Sequence, residues 1–251
     1  VIVGGVKSIG KTTSFLIPIM IAMYLSTALI IIVLNIDKVP GAFGLIFNHA
    51  FSPFAATGGF VGAAVAAAIR FGIARGVFSN ESGLGSAPIA AAAARTNDPV
   101  KQALVSMTQT FIDTLVVCTM TAVIILMAPV WLEGNGAGDL TLRSFEYFLG
   151  DFGATVVIIA TVLFAYSTIL GWSYYGERSF EFLFGDKSIQ IYRVVFIAFV
   201  MIGAVLELRF VWNFSDLANG LMAIPNLVAL LLLSKVITAE TNRYFKEEYK
   251  S

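Results

Sequence analysis

Residues 76–88 read GVFSNESGLGSAP, between the alanine-rich runs AAVAAAIRFGIA and IAAAAAR. Gly76, Gly83 and Gly85 permit backbone angles that other residues resist. Ser86 can cap a new helix whose first turn accepts Pro88, because early helical N–H groups lack partners in any case. Such a stretch opens a helix. The carbonyls near Arg75 to Val77 would then carry the negative end of one helix dipole and suit a cation or an ammonium group, and the N–H groups near Ser86 would suit an anion. Two further constellations have chemical potential. Ser167 and Thr168, adjacent hydroxyls in FAYSTILGWSYYGE, suit a hard cation such as Na+, which prefers oxygen ligands. Asp113, in TQTFIDTLVVCT, shares a helix face with Gln109 and Thr110, and such an acid either completes a polar stripe facing the bundle or touches an ion. Trp172, with Tyr174 and Tyr175, belongs either to an interfacial belt or to a pathway wall.

Composition decides what must position these residues. Of 251 residues, 58% are hydrophobic and 13% charged, about half the ~25% charged content of soluble domains, and the mean hydropathy is +0.85. These values describe a membrane protein. Sixteen basic and sixteen acidic side chains balance, so nothing points to nucleic acid as a partner. The single histidine, His49, and the single cysteine, Cys118, offer no metal spacing, no disulfide and no nucleophile with a base. Enzyme chemistry is not expected, nor is a bound cofactor.

A hydrocarbon layer ~30 Å thick requires about 20 helical residues. Six spans are predicted, at about 15–36, 60–94, 103–132, 153–175, 188–208 and 210–234, with a tail over 235–251. The second contains the opening motif and reads as two half-helices, Val61 to Arg75 and Ala87 to Arg95, broken near 76–86. VPGAFGLIFNHAFSPFAATGGF, between the first two spans, reads as a short interfacial helix. Leu142 to Leu149 reads as a short amphipathic piece. Following the crossings from Val1, eleven Lys and Arg fall on the starting side and three (Lys38, Arg143, Arg209) on the other, which makes the starting side cytoplasmic. Arg70 and Arg75 lie inside the second span, where Glu81 is expected to pair with one of them. Asp216, Asn219, Pro225 and Asn226 make the sixth span polar and kinked. From residues alone, a symporter, a proton-coupled transporter and a passive channel or membrane scaffold all remain open.

Taken together, GVFSNESGLGSAPIAAAAA, FAYSTILGWSYYGE and WNFSDLANGLMAIPN resemble the alanine or glycine:cation symporter family of prokaryotic amino acid carriers, over essentially the whole chain. The family normally has a histidine in the stretch occupied here by Ala90 to Ala94. The resemblance implies an all-α integral membrane protein of LeuT type (APC superfamily), with two inverted five-helix repeats in a prokaryotic plasma membrane. It implies Na+-coupled import of alanine or glycine. On that map the six spans are core helices five to ten, and the first repeat's broken helix, which would supply much of the carboxylate and ion site, is missing. Carried over position by position, Gly76, Val77, Phe78, Ser79 and Asn80 would line the amino acid pocket. Trp172 is a further candidate for its wall, Ser167 and Thr168 would supply Na+ ligands, and Asp113 is a possible third.

Overall fold

In a computed structural model, residues 1–51, 61–133 and 137–248 are described, and the described secondary structure is helical. Residues 52–60, on which the end of the expected interfacial helix and the start of the second span fall, residues 134–136 and the last three residues lie outside it.

Helix α1, Gly5–Leu34, follows a short 3-10 turn and begins well before the apolar run at Phe15, because nothing in GVKSIGKTTS stops a helix. A second 3-10 turn leads to α2, Val39–Phe51. Helix α3 is Val61–Asn80 and α4 is the five-residue Ala87–Ala91. Then α5, Pro99–Thr110, passes through a π-helical stretch at Phe111–Cys118 into α6, Thr119–Met127. Asp98 starts α5, its carboxylate accepting from the N–H groups of Val100 and Lys101 with Pro99 in the first turn, a charged cap favoured by the helix dipole. Helix α7, Ala137–Phe184, is kinked at Gly150, whose φ of 60° belongs to the left-handed region. The kink divides the amphipathic piece from the span that follows. Helices α8, Ile189–Val205, and α9, Leu208–Glu248, complete the chain. The charged tail continues α9: TAETNRYFKEE contains no helix breaker, and an Arg243–Glu240 pair at 2.7 Å spans one turn.

Among the described residues, five helices are long and apolar enough to cross a membrane: Lys7–Leu34, Pro99–Met127, Asp139–Phe184, Asp186–Val205 and Leu208–Lys246. The outward faces of α8 and α9 carry Phe199, Met201, Leu231 and Leu232, all well exposed. A surface so continuously apolar suits lipid rather than water.

The helices group into two compact units, Val1–Ala68 with Val116–Phe196, and Ile69–Leu115 with Ile197–Ser251. In the first, Tyr24 of α1 stacks on Phe145 (5.5 Å) and meets Phe164 edge-on (6.0 Å), and its hydroxyl lies 2.6 Å from the Thr121 hydroxyl. Ile31, Ile124 and the fully buried Phe145 close this core. A Cβ on Gly176 would collide with the Tyr192 hydroxyl, so glycine lets α7 and α8 approach. Beside that contact Glu177, 2% exposed, accepts from Arg193 Nε at 2.7 Å and Nη2 at 3.0 Å, and from Arg178 Nη2 at 2.9 Å. Arg193 Nη1 also donates to the Val3 carbonyl at 2.9 Å, tying the N-terminal turn into the knot.

Candidate functional site

The opening motif lies in the second unit. Helix α3 does not end at Gly76. It runs on to Asn80, and the Val77 carbonyl accepts the Glu81 N–H at 2.9 Å. The negative end of its dipole therefore falls five residues beyond the helix end expected at Arg75, because a single glycine costs a helix only ~1 kcal/mol while VFSN contains nothing that ends one. The interruption occupies 81–86. Glu81, Gly83 and Gly85 take φ of 57°, 82° and 83°, and Asn80 Oδ1 accepts the Ser82 N–H at 3.0 Å.

Ser86 does not cap α4. Its fully buried hydroxyl donates to Glu81 Oε2 at 2.7 Å and makes no capping bond. A carboxylate is the stronger acceptor partner for that hydroxyl, and the bond closes the loop on itself. Arg75 contacts Asp216 rather than Glu81, with Nη2 2.6 Å from each carboxylate oxygen, and its guanidinium lies 4.0 Å over the Trp212 ring. Phe78 packs edge-on against the same ring at 5.7 Å.

The loop is also held from α9. Asn226 Nδ2 donates to the Gly83 carbonyl at 2.9 Å, and a Cβ built on Gly85 would stand 3.2 Å from Asn226 Cβ. Gly85→Ala therefore meets both a left-handed backbone and a neighbour that must yield. It is expected to cost about 1–2 kcal/mol, read as a lower melting temperature of the purified protein, whereas Gly76→Ala, in regular helix with open space, is expected to raise it, adding up to ~1 kcal/mol of stability.

Of the residues singled out in the sequence, three converge. Ser79 Oγ donates to Asp113 Oδ2 at 2.8 Å, and Asn80 Nδ2 donates to Thr114 Oγ1 at 3.1 Å. The last turn of α3 is thus docked on the π-helical stretch that carries Asp113, and stretches of this kind recur at functional sites. Gly76, Val77 and Phe78 occupy the preceding turn. Ser167, Thr168 and Trp172 belong to the first unit, all on α7. Ser167 is half-buried and its hydroxyl donates to the Phe164 carbonyl at 3.0 Å; Thr168 is exposed; Trp172 meets Tyr175 edge-on at 5.7 Å.

Next to Asn80 opens a cleft of about 850 Å³, lined by the 81–85 loop, α4, the start of α5 and Asn226 of α9. Its wall on the α4 side is small and smooth, Ala87, Ala91 and Ala92, and its α5 side is polar, Gln102, Ser106, Gln109 and Thr110. Sequence reasoning missed the Asn226 clamp and the Arg75–Asp216 pair. The signal available was polar side chains within apolar runs, which marks the residues but not their partners some 140 positions away.

Long apolar helices, a helix interrupted at two glycines, and polar contacts gathered at that interruption describe a multi-pass membrane protein with the broken-helix pattern that recurs among transporters. The sequence matches the sodium:alanine symporter family over residues 1–251, and the chain belongs to that family. Its members are transporters of the symporter type rather than enzymes, and integral membrane proteins. The chain is 51% identical over 249 residues to the sodium/alanine symporter AgcS of Methanococcus maripaludis, covering 97% of this chain and 54% of that protein. It is 51% identical over 248 residues to an uncharacterized transporter of Haemophilus influenzae, covering 98% and 54%. Against the probable sodium/glutamine symporter GlnT of Bacillus subtilis the identity is 38% over 250 residues, covering 99% and 52%. The chain thus spans about half the length of the relatives it matches.

Proposed function

We propose that this chain forms one part of a Na+-coupled symporter that carries a small neutral amino acid, alanine or glycine, into the cell. The observation that carries the reading is the convergence of Ser79, Asn80 and Asp113 where α3 ends. Carboxylate, hydroxyl and amide there stand at the negative end of a helix dipole, a setting that favours Na+ or a substrate ammonium group. Asp113 holds the cation, and Asn80, with Gly76, Val77, Phe78 and Ser79 in the turn before it, lines the amino acid pocket. On α7, Ser167 and Thr168 offer oxygens to Na+, since a hydroxyl that donates to its own helix, as Ser167 does, keeps lone pairs for a cation, and Trp172 follows one turn further along the same helix. In a LeuT-type arrangement of six crossings, core helices five to ten, core helices one to four of the full-length protein complete the site. Ion and substrate then favour the same closed state, which couples their fluxes. Alanine is supported by the name of a relative at 51% identity, whereas the glutamine-named relative stands at 38%.

The reading is tested by alanine uptake into proteoliposomes holding the full-length protein. An inward Na+ gradient is expected to drive accumulation, and K+ substitution to abolish it. Uptake driven equally well by a pH gradient alone would assign the coupling to protons, and uptake indifferent to every gradient would make the protein a passive channel.

A further inference from the structure

Along α5, Gln102, Ser106, Gln109 and Thr110 recur at intervals of four, three and one, and Asp113 follows three further on. At 100° per residue these five positions fall within about 100° of one another around the helix. Leu104 and Phe111 lie opposite and are exposed apolar side chains, and the one hydroxyl on that opposite side, Thr108, is spent on the Val105 carbonyl at 2.6 Å. The polar face is continuous: Gln102 Nε2 donates to Ser106 Oγ at 3.3 Å, and Gln102, Ser106, Gln109 and Thr110 all line the cleft. Over eleven residues it extends roughly 16 Å, from the helix start beside Arg95 and Lys101 to Asp113 and Ser79.

The charges along this route are engaged. Asp98, at its mouth, caps α5; Glu81 accepts from Ser86; Asp113, at its inner end, accepts from Ser79. What the route presents between them is neutral amide and hydroxyl, facing alanine side chains. Neutral groups of this kind hydrogen-bond water and both ends of a zwitterion, and hold neither end as tightly as a full countercharge would. Side chains of this polarity in hydrocarbon are otherwise costly.

We infer that the Gln102–Ser106–Gln109–Thr110 face of α5 is the hydrated track by which a zwitterionic amino acid leaves the site for the cytoplasm. This rests on the transport reading and on the cytoplasmic assignment of the Arg95–Lys101 side. The probe is a membrane-impermeant, cationic methanethiosulfonate applied to the full-length protein with its native cysteines, Cys118 among them, replaced by serine. Gln102→Cys, Gln109→Cys and the near-isosteric Ser106→Cys are expected to react from the cytoplasmic side on the order of tenfold faster than Leu104→Cys and Phe111→Cys, because the species that attacks the reagent is the thiolate, which forms where water solvates it. Na+ with alanine, which closes the site, is expected to slow reaction on the polar face alone. Equal rates on the two faces, or reaction of the polar face from the outside only, would overturn the track. The readout is the mass of the labelled protein, independent of uptake. A labelled track in a protein whose uptake ignores Na+ would therefore refute the coupling reading and leave the track standing.

Discussion

Asp113→Asn is expected to raise the Na+ concentration giving half-maximal alanine uptake by one to two orders of magnitude, about 1.5–3 kcal/mol for a hydrogen-bonded charge. The substitution keeps the volume and leaves an oxygen able to accept from Ser79, whose hydroxyl now lies 2.8 Å from Oδ2. The last turn of α3 therefore stays docked while the charge is lost. The discriminating contrast is Ser79→Ala, which removes the same hydrogen bond but leaves the carboxylate. It is expected to weaken alanine more than Na+. Na+-titrated uptake in proteoliposomes separates the two, and an unchanged Na+ dependence in Asp113→Asn would restrict Asp113 to holding α3 against the π-helical stretch.

Glu177→Gln is expected to destabilise the protein by about 3 kcal/mol, the low end of the range for breaking a buried ion pair. Glu177 is 2% exposed and faces Arg193, 11% exposed, and Arg178. With a neutral amide in its place, Arg193 retains the Val3 carbonyl but no countercharge. Removing Arg178 instead should cost far less, because its side chain is about a third exposed and it also pairs with Glu181, and screened pairs contribute little. Thermal melting of the purified protein followed by size-exclusion chromatography ranks the variants. Equal losses from Glu177→Gln and Arg178→Gln would show that burial does not set the strength of this knot.

Much of the helical order was legible because apolar runs and their breaks are local properties. The interruption near Gly83 and Gly85 could be read from glycine content alone. Its start could not: Gly76 has the same chemistry as Gly83, and only the choice of Asn80 as the last helical residue, with its side chain turned onto the Ser82 N–H, settles where α3 stops. Ser86 shows a different limit. A serine before a proline-containing turn is a reasonable cap, but the same hydroxyl serves a carboxylate five residues back, and sequence spacing does not rank two acceptors. Arg75 was drawn toward Glu81 by proximity in sequence and went to Asp216 instead, where Trp212 adds an aromatic face. The π-helical stretch around Asp113 left no mark in the sequence, since FIDTLVVC satisfies an ordinary helix equally well. The residues gathered at the site were identifiable one at a time; which of them touch was not.

The contacts that hold the 81–86 loop have a consequence for how the protein is made. Asn226 lies 143 residues after Gly83, and Asp216 lies 141 after Arg75. All of 116–196, which belongs to the first unit, is synthesised between them. At 5–20 residues per second the ribosome takes roughly 7–30 s to cover that distance. The first unit can gather its core around Tyr24 and Phe145 during this interval. The loop cannot be clamped until α9 has been made, so the interruption is completed only after the whole of 116–196 has been synthesised.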